Sequence, residues 1–318
     1  MSAFINQIVL FMRTKRYSLK TEKSYITWIK SYIRFHNYQH PSTLREEHVE
    51  AYLNYLANEK KISASTQNLA LCAIVFLYKN ILHKELVNLS FGYSKTPKRL
   101  PTVLNANEVS VILNHLRGDH HLIACTLYGA GLRITEALRL RVKDIDFSYK
   151  TIFIFRGKGQ KDRISLLPNA LVQPFQEQIK KVKSMHAKDL QHGYGSTSLP
   201  ASLNKKYGKA LKDAKWQYLF PSTTRCRHPV DGYICRHHLH ETAFRKQLRR
   251  AVVESGIDKP VKAHSFRHSF ATEMLKSGMD IRSLQELLGH TDIRTTEIYT
   301  HVVSNKFAGS KSPLDKLH

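Results

Sequence analysis

Apolar side chains recur at spacings of three and four along the first ninety residues, and this period restricts that part of the chain to helices. An amphipathic helix places residues with such spacing on one face, where they can be buried together. The pattern is carried by Tyr25, Trp28, Ile29, Tyr32 and Ile33, and again by Val49, Tyr52, Leu53 and Leu56. We therefore predict four or five short helices between Phe4 and about Leu89.

A polar, basic stretch from Gly92 to Pro101 separates this helical region from the rest of the chain, and it contains Pro97 as well as Pro101. Proline disfavours a helical conformation at the residue before it, so this stretch is typical of an extended linker. A length of 318 residues also favours two domains. The sequence predicts a helical domain at 1–91, a linker at 92–102 and a second domain at 103–318.

The second domain combines helices with a hairpin. Asn105 and Glu108 form a helix-capping pattern, and helical sequence continues to Arg139. The β-branched and apolar segments 151–155 and 163–167 flank a lysine-containing turn, which predicts a β-hairpin. Helices return from about Asn169 and from Glu241, with a lysine-rich inserted segment at about 185–215 between them. The expected fold class is mainly α with a small antiparallel β-sheet.

The net charge of the chain indicates which class of molecule it binds. The chain carries 50 Lys and Arg against 25 Asp and Glu, a formal net charge of +25. Both parts contribute, with +7 before Pro97 and +18 from there onward. A polyanion would relieve the resulting self-repulsion, and positive charge spread over two domains suits a protein that surrounds nucleic acid. We therefore predict DNA as the partner rather than a membrane surface, because no segment combines a basic face with a large apolar face.

The cellular location is predicted from the apolar runs, the amino terminus and the number of cysteines. The longest apolar run, Leu69 to Tyr78, has ten residues, about half of what a bilayer requires. The amino terminus opens without the basic region of a signal peptide, and four cysteines do not make a disulfide scaffold. The expected location is the cytoplasm.

Several basic side chains lie at predicted turns or helix starts: Arg133, Lys158, His264, Arg267 and His290. Each alone is more often a surface or capping residue. Together, guanidinium and imidazole groups could stabilise the charge that develops on a phosphodiester during transfer. Tyr299 follows His290 by nine residues. A phenol with a pKa near 10 needs positive charge or a base nearby to attack at neutral pH, and this neighbourhood distinguishes Tyr299 from the other tyrosines.

Four stretches, in order, resemble the tyrosine recombinase family, also called phage integrases: Gly-Ala-Gly-Leu-Arg133-Ile-Thr-Glu, Gly-Lys158-Gly-Gln-Lys-Asp-Arg, His264-Ser-Phe-Arg267-His-Ser-Phe-Ala-Thr, and Leu-Gly-His290-Thr-Asp-Ile-Arg-Thr-Thr-Glu-Ile-Tyr299-Thr-His. The resemblance implies that Tyr299 attacks DNA to give a 3′-phosphotyrosine. It implies that Arg133, Arg267 and His290 stabilise the transition state, that Lys158 is the general acid, and that His264 assists proton transfer.

The same resemblance implies an enzyme that needs no metal or ATP, because the phosphotyrosine conserves the bond energy. It also implies a core-binding, SAM-like first domain, a two-domain C-shaped clamp around DNA and chemistry like that of type IB topoisomerases. The last residues, about 302–318, would pack onto a neighbouring protomer in a homo-tetramer on DNA. A non-cleaving DNA-architectural relative and a topoisomerase that does not exchange strands remain alternatives.

The inserted segment and the sequence after it resemble the integron integrases, which insert and excise gene cassettes at folded single-strand hairpin sites. This resemblance implies that extrahelical bases are bound by Trp216, His237 and His238, with Pro229 a weaker addition. Flat rings suit an unstacked base, because stacking contributes about 1–3 kcal/mol per base. Trp216 could equally be a core residue. A Xer-type chromosome or plasmid recombinase acting on duplex sites remains the alternative.

Two Cys-x-His pairs raise the possibility of zinc. Cys226, His228, Cys235 and His237 have side chains that suit tetrahedral zinc, but their spacing of nine residues between cysteines is unusual for such sites. We therefore predict no metal site and no cofactor.

Overall fold

The computed structural model describes residues 3–86, 101–155, 162–199 and 208–290, together with Asp292, Thr296 and Tyr299. The chain divides into two compact units, Met1–Arg99 and Leu100–His318. Its described part is mainly helical with small antiparallel sheets, which confirms the expected fold class. None of the helices in the described ranges is long and apolar enough to span a membrane.

The described residues of the first unit form four α-helices, as predicted: α1 (Ala3–Thr14), α2 (Leu19–Phe35), α3 (Glu46–Asn58) and α4 (Ala64–Asn80). Serine side chains cap two of them, since Ser18 accepts a hydrogen bond from the Thr21 amide and Ser63 accepts one from the Thr66 amide. The apolar faces pack together, and the buried Tyr32 hydroxyl lies 2.9 Å from that of Tyr78.

The second unit opens with three helices, α5 (Ala106–Asn114), α6 (Gly118–Gly129) and α7 (Ile134–Arg139). The predicted capping pattern is present: the Glu108 amide donates to Asn105 Oδ1, and the Asn105 amide donates to Glu108 Oε2, both at 2.8 Å. Around α6, a core including Ile123, Leu127 and Phe266 excludes water.

A three-stranded antiparallel sheet follows, in the order β1 (Ile145–Asp146), β2 (Thr151–Ile154) and β3 (Arg163–Leu166). β2 and β3 are the strands of the predicted hairpin, with Ile152 opposite Ser165. The predicted turn between them falls largely on residues 156–161, so Lys158 lies outside the described residues.

The remaining elements are α8 (Asn169–Gln191), β4 (Cys226–Arg227), β5 (Ile234–Cys235), α9 (Glu241–Glu254), α10 (Ala263–Lys276) and α11 (Ile281–Leu288). The inserted segment predicted at about 185–215 begins as the last two turns of α8, where His186 and Asp189 are buried. Residues 200–207 of that segment lie outside the described ranges. β4 and β5 form a second antiparallel pair that the sequence did not reveal.

Gly131, between α6 and α7, has a positive φ of 63°, and a Cβ there would lie 2.4 Å from Phe270 Cδ1. We expect Gly131→Ala to lower the unfolding free energy by roughly 2–4 kcal/mol, through backbone strain and a core clash. Gly256→Ala is the matched control, because Gly256 has a φ of 67° with nothing within 4 Å of the added Cβ. Urea denaturation should show a clearly smaller loss for the control, and equal losses would contradict the steric argument.

Candidate active site

A single buried carboxylate, Glu136, brings three arginines together. Arg133 is the N-cap residue of α7, so its amide and its Nη1 both reach Glu136, at 2.8 Å and 2.7 Å. Arg163 extends from β3 and donates to both carboxylate oxygens, Nη1 at 3.0 Å and Nη2 at 2.8 Å. Arg267 from α10 places its Nη1 3.7 Å from Glu136 Oε2. The Glu136 carboxylate therefore holds together residues from α7, β3 and α10.

The cluster around Glu136 has an excess of positive charge. Burial alone would raise the pKa of Glu136, but hydrogen bonds and charge from Arg163 and then Arg133 lower it to about 2. Burial, followed by repulsion from Arg133, lowers the pKa of Arg267 to about 9. Within the described part of the chain, the ion pairs set three guanidiniums against one carboxylate, an excess of positive charge that suits an anionic ligand.

Arg267 is fully buried and joins two loops of the site. Its Nη1 donates to the Gly131 carbonyl at 2.7 Å, and its Nη2 donates to the Leu288 carbonyl at 2.6 Å. Its Nε has no hydrogen-bond acceptor among the described residues. The guanidinium thereby fixes the turn before Arg133 to the end of α11.

His290 follows Gly289, which adopts the left-handed conformation that ends α11. Its Nε2 lies 3.0 Å from Arg267 Nη2 and its Nδ1 lies 2.9 Å from Thr296 Oγ1. A guanidinium can only donate, so Nε2 is the acceptor and Nδ1 carries the proton of the neutral ring. Arg267 therefore selects the tautomer of His290.

Tyr299 is buried, with 1% of its surface exposed, among apolar residues that include Phe270, Leu284 and Leu288. Its hydroxyl lies 2.8 Å from His268 Nδ1, and its ring is nearly parallel to that of His290 at 6.4 Å between centroids. Burial raises the pKa of Tyr299, although Arg267 and Arg133 act in the opposite direction. The phenol is therefore protonated in this arrangement.

His268 is the partner of that phenol. Burial, the neighbouring His264 and Arg267 lower the pKa of His268 to about 4, so its ring is neutral at pH 7. The Tyr299 hydroxyl can donate to the unprotonated Nδ1. In this state Tyr299 is neither ionised nor accessible to a large substrate.

The lowered pKa of the partly buried His268 predicts a pH dependence of stability. In the unfolded chain His268 binds a proton near pH 6.5, but in the folded protein only near pH 4. The unfolding free energy should therefore fall as the pH is lowered from 6.5 to 4, by up to about 3 kcal/mol from His268. Urea denaturation at several pH values should show a shallower fall for His268→Gln. The same slope in both proteins would contradict this prediction.

The structure brings together four of the six predicted catalytic residues: Arg133, Arg267, His290 and Tyr299. His264 is exposed. Its ring and that of His268 meet edge to face, with 4.4 Å between the ring centroids. Lys158 lies outside the described residues. The roles of these residues remain predictions.

Sequence reasoning missed three residues of this site: Glu136, Arg163 and His268. Glu136 lies three positions after Arg133, a spacing that also signals a capping box, and His268 directly follows Arg267. Arg163 was assigned only to a strand. No local signal shows that its side chain reaches Glu136 and the Leu287 carbonyl, which accepts from Arg163 Nε at 3.0 Å.

A second group of aromatic residues lies in the same unit, and two of its members, His237 and His238, are predicted base-binding residues. The rings of His237 and His238 are 4.0 Å apart, and both meet Tyr218 in edge contacts at 5.3 Å and 5.2 Å. Trp216 is half-buried. The Lys143 ammonium lies 4.4 Å from the centre of the Trp216 ring.

The fourth predicted residue, Pro229, is exposed in the turn between β4 and β5. Beside it, the His228 ring stacks on Tyr233 and its Nδ1 lies 3.2 Å from Asp231. Within the described ranges, no group of three or more His, Cys, Asp or Glu side chains is placed to hold a metal ion.

Comparisons with known proteins cover nearly the whole chain. The model of the phage integrase family matches residues 102–306, and that of the phage integrase N-terminal SAM-like domain matches residues 4–88. An "Integrase/recombinase" of Escherichia coli is 44% identical over 98% of this chain and 93% of its own length. The tyrosine recombinase XerD of Rickettsia bellii is 28% identical over 98% of this chain and 99% of its own.

Solved structures share the fold. The XerH site-specific recombinase bound to its difH substrate matches 94% of this chain and 81% of its own, with a TM-score of 0.62 and 21% identity. The Tn1549 transposon integrase in complex with transposon right end DNA matches 98% of this chain and 100% of its own, with a TM-score of 0.63 and 17% identity. The extent of the family matches and the 44% identity to a full-length relative together show that this chain belongs to the phage integrase family, the tyrosine recombinases.

Proposed function

We propose that the protein breaks and rejoins DNA at specific sites through a 3′-phosphotyrosine on Tyr299. The observation that carries this proposal is the surplus of positive charge around Glu136, directly beside a tyrosine that contacts two histidines. A phosphodiester would neutralise that surplus. Its transition state, with more charge on the non-bridging oxygens, would be bound more tightly than its ground state.

In the proposed reaction, the Tyr299 hydroxyl loses its proton to His264 as its oxygen forms a bond to phosphorus, and the bond from phosphorus to the 5′ oxygen breaks. Arg133, Arg267 and His290 stabilise the phosphoryl oxygens, and Lys158 donates a proton to the departing 5′ oxygen. Attack by a 5′ hydroxyl on the phosphotyrosine reverses these steps and rejoins a strand. His264 is the proposed acceptor because its ring meets that of His268, the residue that binds the phenol in the structure.

The burial of Arg267 and Tyr299 gives the proposal a further requirement. Both side chains are enclosed and hydrogen-bonded within the protein, so neither can reach a phosphate as described. We therefore propose that the arrangement is a resting state, and that DNA must separate Tyr299 from His268 before cleavage. The raised pKa of Tyr299 in this state would suppress attack on phosphodiesters in solution and on DNA that is not the substrate.

We further propose that the substrate is a folded single-strand hairpin with extrahelical bases, as in integron cassette sites. Support comes from the adjacent rings of His237 and His238 and from the half-buried side chain of Trp216. Burial and neighbouring positive charge lower the pKa of His237 to about 4, and the pKa of His238 is lowered mainly by burial. Both rings are therefore neutral at pH 7, and a neutral imidazole ring is suited to stacking on a base.

A Xer-type recombinase acting on duplex sites is the second candidate, favoured by relatives named XerC and XerD. In either case we propose that the first unit contributes to DNA binding and that four protomers assemble on two DNA sites. A non-cleaving DNA-binding protein would be distinguished by the absence of a covalent product.

The test uses DNA substrates with a nick beside the scissile phosphate, which trap the covalent intermediate. One substrate is a hairpin with extrahelical bases, one is the same hairpin with those bases deleted, and one is a perfect duplex. We expect more adduct on the bulged hairpin than on either control. Equal or greater adduct on the duplex would exclude the hairpin proposal while retaining the recombinase.

A further inference from the structure

A buried arginine outside the catalytic cluster lies between the predicted base-binding residues. Arg141 follows α7 and is 9% exposed. Within the described part of the chain, no carboxylate oxygen lies within 4 Å of its guanidinium, so carbonyl and hydroxyl groups must satisfy its donors. Burying a cation away from any carboxylate lowers the stability of the folded protein unless each N–H donor has a hydrogen-bond acceptor. The position of those partners shows what the side chain holds in place.

The guanidinium of Arg141 binds the inserted segment and the residues after it. Its Nη1 donates to the Trp216 carbonyl and lies 3.4 Å from Thr197 Oγ1. Its Nη2 donates to the Ser198 carbonyl at 2.8 Å. The same group lies over the Tyr218 ring, 4.2 Å from its centre. One side chain thus fixes the backbone of Trp216 and of the 197–198 segment at once.

Ser198 extends this connection to the histidines. Its hydroxyl lies 2.6 Å from His237 Nδ1 and 3.1 Å from the Tyr218 hydroxyl. Tyr218 in turn supports the rings of His237 and His238 through edge contacts. Arg141 therefore contacts Trp216 directly and His237 through one intervening residue.

This arrangement requires the shape of a guanidinium. Arginine presents five N–H donors in a planar fork and can stack on an aromatic ring, whereas the lysine ammonium is a compact group with three donors on a flexible chain. Lysine would keep the charge but could not hold both carbonyls while covering the Tyr218 ring. Arg141→Lys is therefore a conservative change that removes the geometry and leaves the net charge intact.

We propose that Arg141 is a positioning residue that holds Trp216 and His237 in the orientation that binds an extrahelical base. The inference rests on the proposed function, because it assigns a specificity role within that site. It concerns discrimination between DNA substrates and not the chemistry at Tyr299.

The experiment measures binding and base stacking without cleavage, using proteins that also carry Tyr299→Phe. The probe is a hairpin with 2-aminopurine at the extrahelical position, whose fluorescence is quenched on stacking. A second hairpin lacks the extrahelical base. The readout is the ratio of affinities for the two hairpins, together with the quenching. We expect Arg141→Lys to lower the ratio about tenfold, within the range for one stacked base, and to reduce the quenching.

Two further variants complete the test. Ser198→Ala removes only the hydroxyl that reaches His237, so it should lower the ratio by less than Arg141→Lys. Lys181→Met is the control, because Lys181 pairs with Asp119 at an exposed position, and it should leave the ratio unchanged. Thermal unfolding establishes that each variant is folded. If Arg141→Lys is not folded, Ser198→Ala carries the test, and full discrimination by folded Ser198→Ala would overturn the inference.

The outcomes separate this inference from the proposal on which it rests. No preference of the parent protein for the bulged hairpin would refute the proposed hairpin function. A clear preference that folded Arg141→Lys retains, with undiminished quenching, would refute the positioning role alone.

Discussion

Tyr299→Phe is expected to remove the covalent DNA adduct completely while DNA binding is retained. The substitution deletes one oxygen, the proposed nucleophile, and leaves the ring that packs against Phe270 and Leu288. The folded protein loses one hydrogen bond to His268, which contributes about 0.5–1.5 kcal/mol. Denaturing gels with nicked substrates would measure the adduct, and gel shifts would measure binding.

Substitution of a second, exposed tyrosine is the control for Tyr299→Phe. Tyr149→Phe changes an exposed residue between β1 and β2, and we expect the normal amount of adduct from it. An adduct that persists in Tyr299→Phe would show that another residue attacks the phosphate. Parallel loss of DNA binding would indicate that the substitution disturbed folding and not only chemistry.

Glu136→Gln should have the largest effect on stability. The side chain keeps its size, but three arginines lose the only carboxylate that they share in the described site. Removing one partner of a buried ionic network leaves the others uncompensated, so we expect the unfolding free energy to fall by about 3–5 kcal/mol. Cleavage should slow roughly 10²-fold in protein that remains folded, because Arg133 and Arg267 lose their fixed orientation.

Glu254→Gln is the control for this change. Glu254 pairs with Arg250 on the exposed face of α9, where an ion pair adds little to stability. Urea denaturation should show no measurable change for Glu254→Gln. If Glu136→Gln were equally harmless, the carboxylate would not be holding the arginine cluster together.

Added phosphate or sulfate provides an independent check of the charge argument. An anion bound at Arg133, whose side chain is 16% exposed, should stabilise Glu136→Gln more than the parent protein, since the variant lacks the negative charge of Glu136. Thermal unfolding with increasing sulfate, compared with chloride at equal ionic strength, would measure the difference. Equal stabilisation of both proteins would indicate binding elsewhere.

Local sequence patterns predicted much of the fold. The three- and four-residue spacing identified the helices of the first unit, and Asn105 with Glu108 marked the start of α5. The hairpin of β2 and β3 followed from two β-branched segments around a turn. These features depend on interactions between residues close in sequence, so a single sequence contains the necessary information.

The site was only partly predictable because its contacts cross long stretches of chain. Arg163 and Glu136 are 27 positions apart, and Arg141 and Trp216 are 75 positions apart. The sequence identified Arg133, Arg267, His290 and Tyr299 as candidates, but not the carboxylate that joins the arginines or the histidine that binds the tyrosine. The small β4–β5 pair was missed for another reason, since two-residue strands have no detectable period.

The most direct test of the account identifies the residue that becomes linked to DNA. Wild-type protein would be trapped on a nicked substrate and digested with protease, and the peptide carrying the nucleotide would be sequenced by mass spectrometry. The account predicts a 3′-phosphate ester on Tyr299, formed without added metal or nucleotide. A DNA link at any other residue, or strand cleavage that leaves no protein attached to the 3′ end, would contradict it.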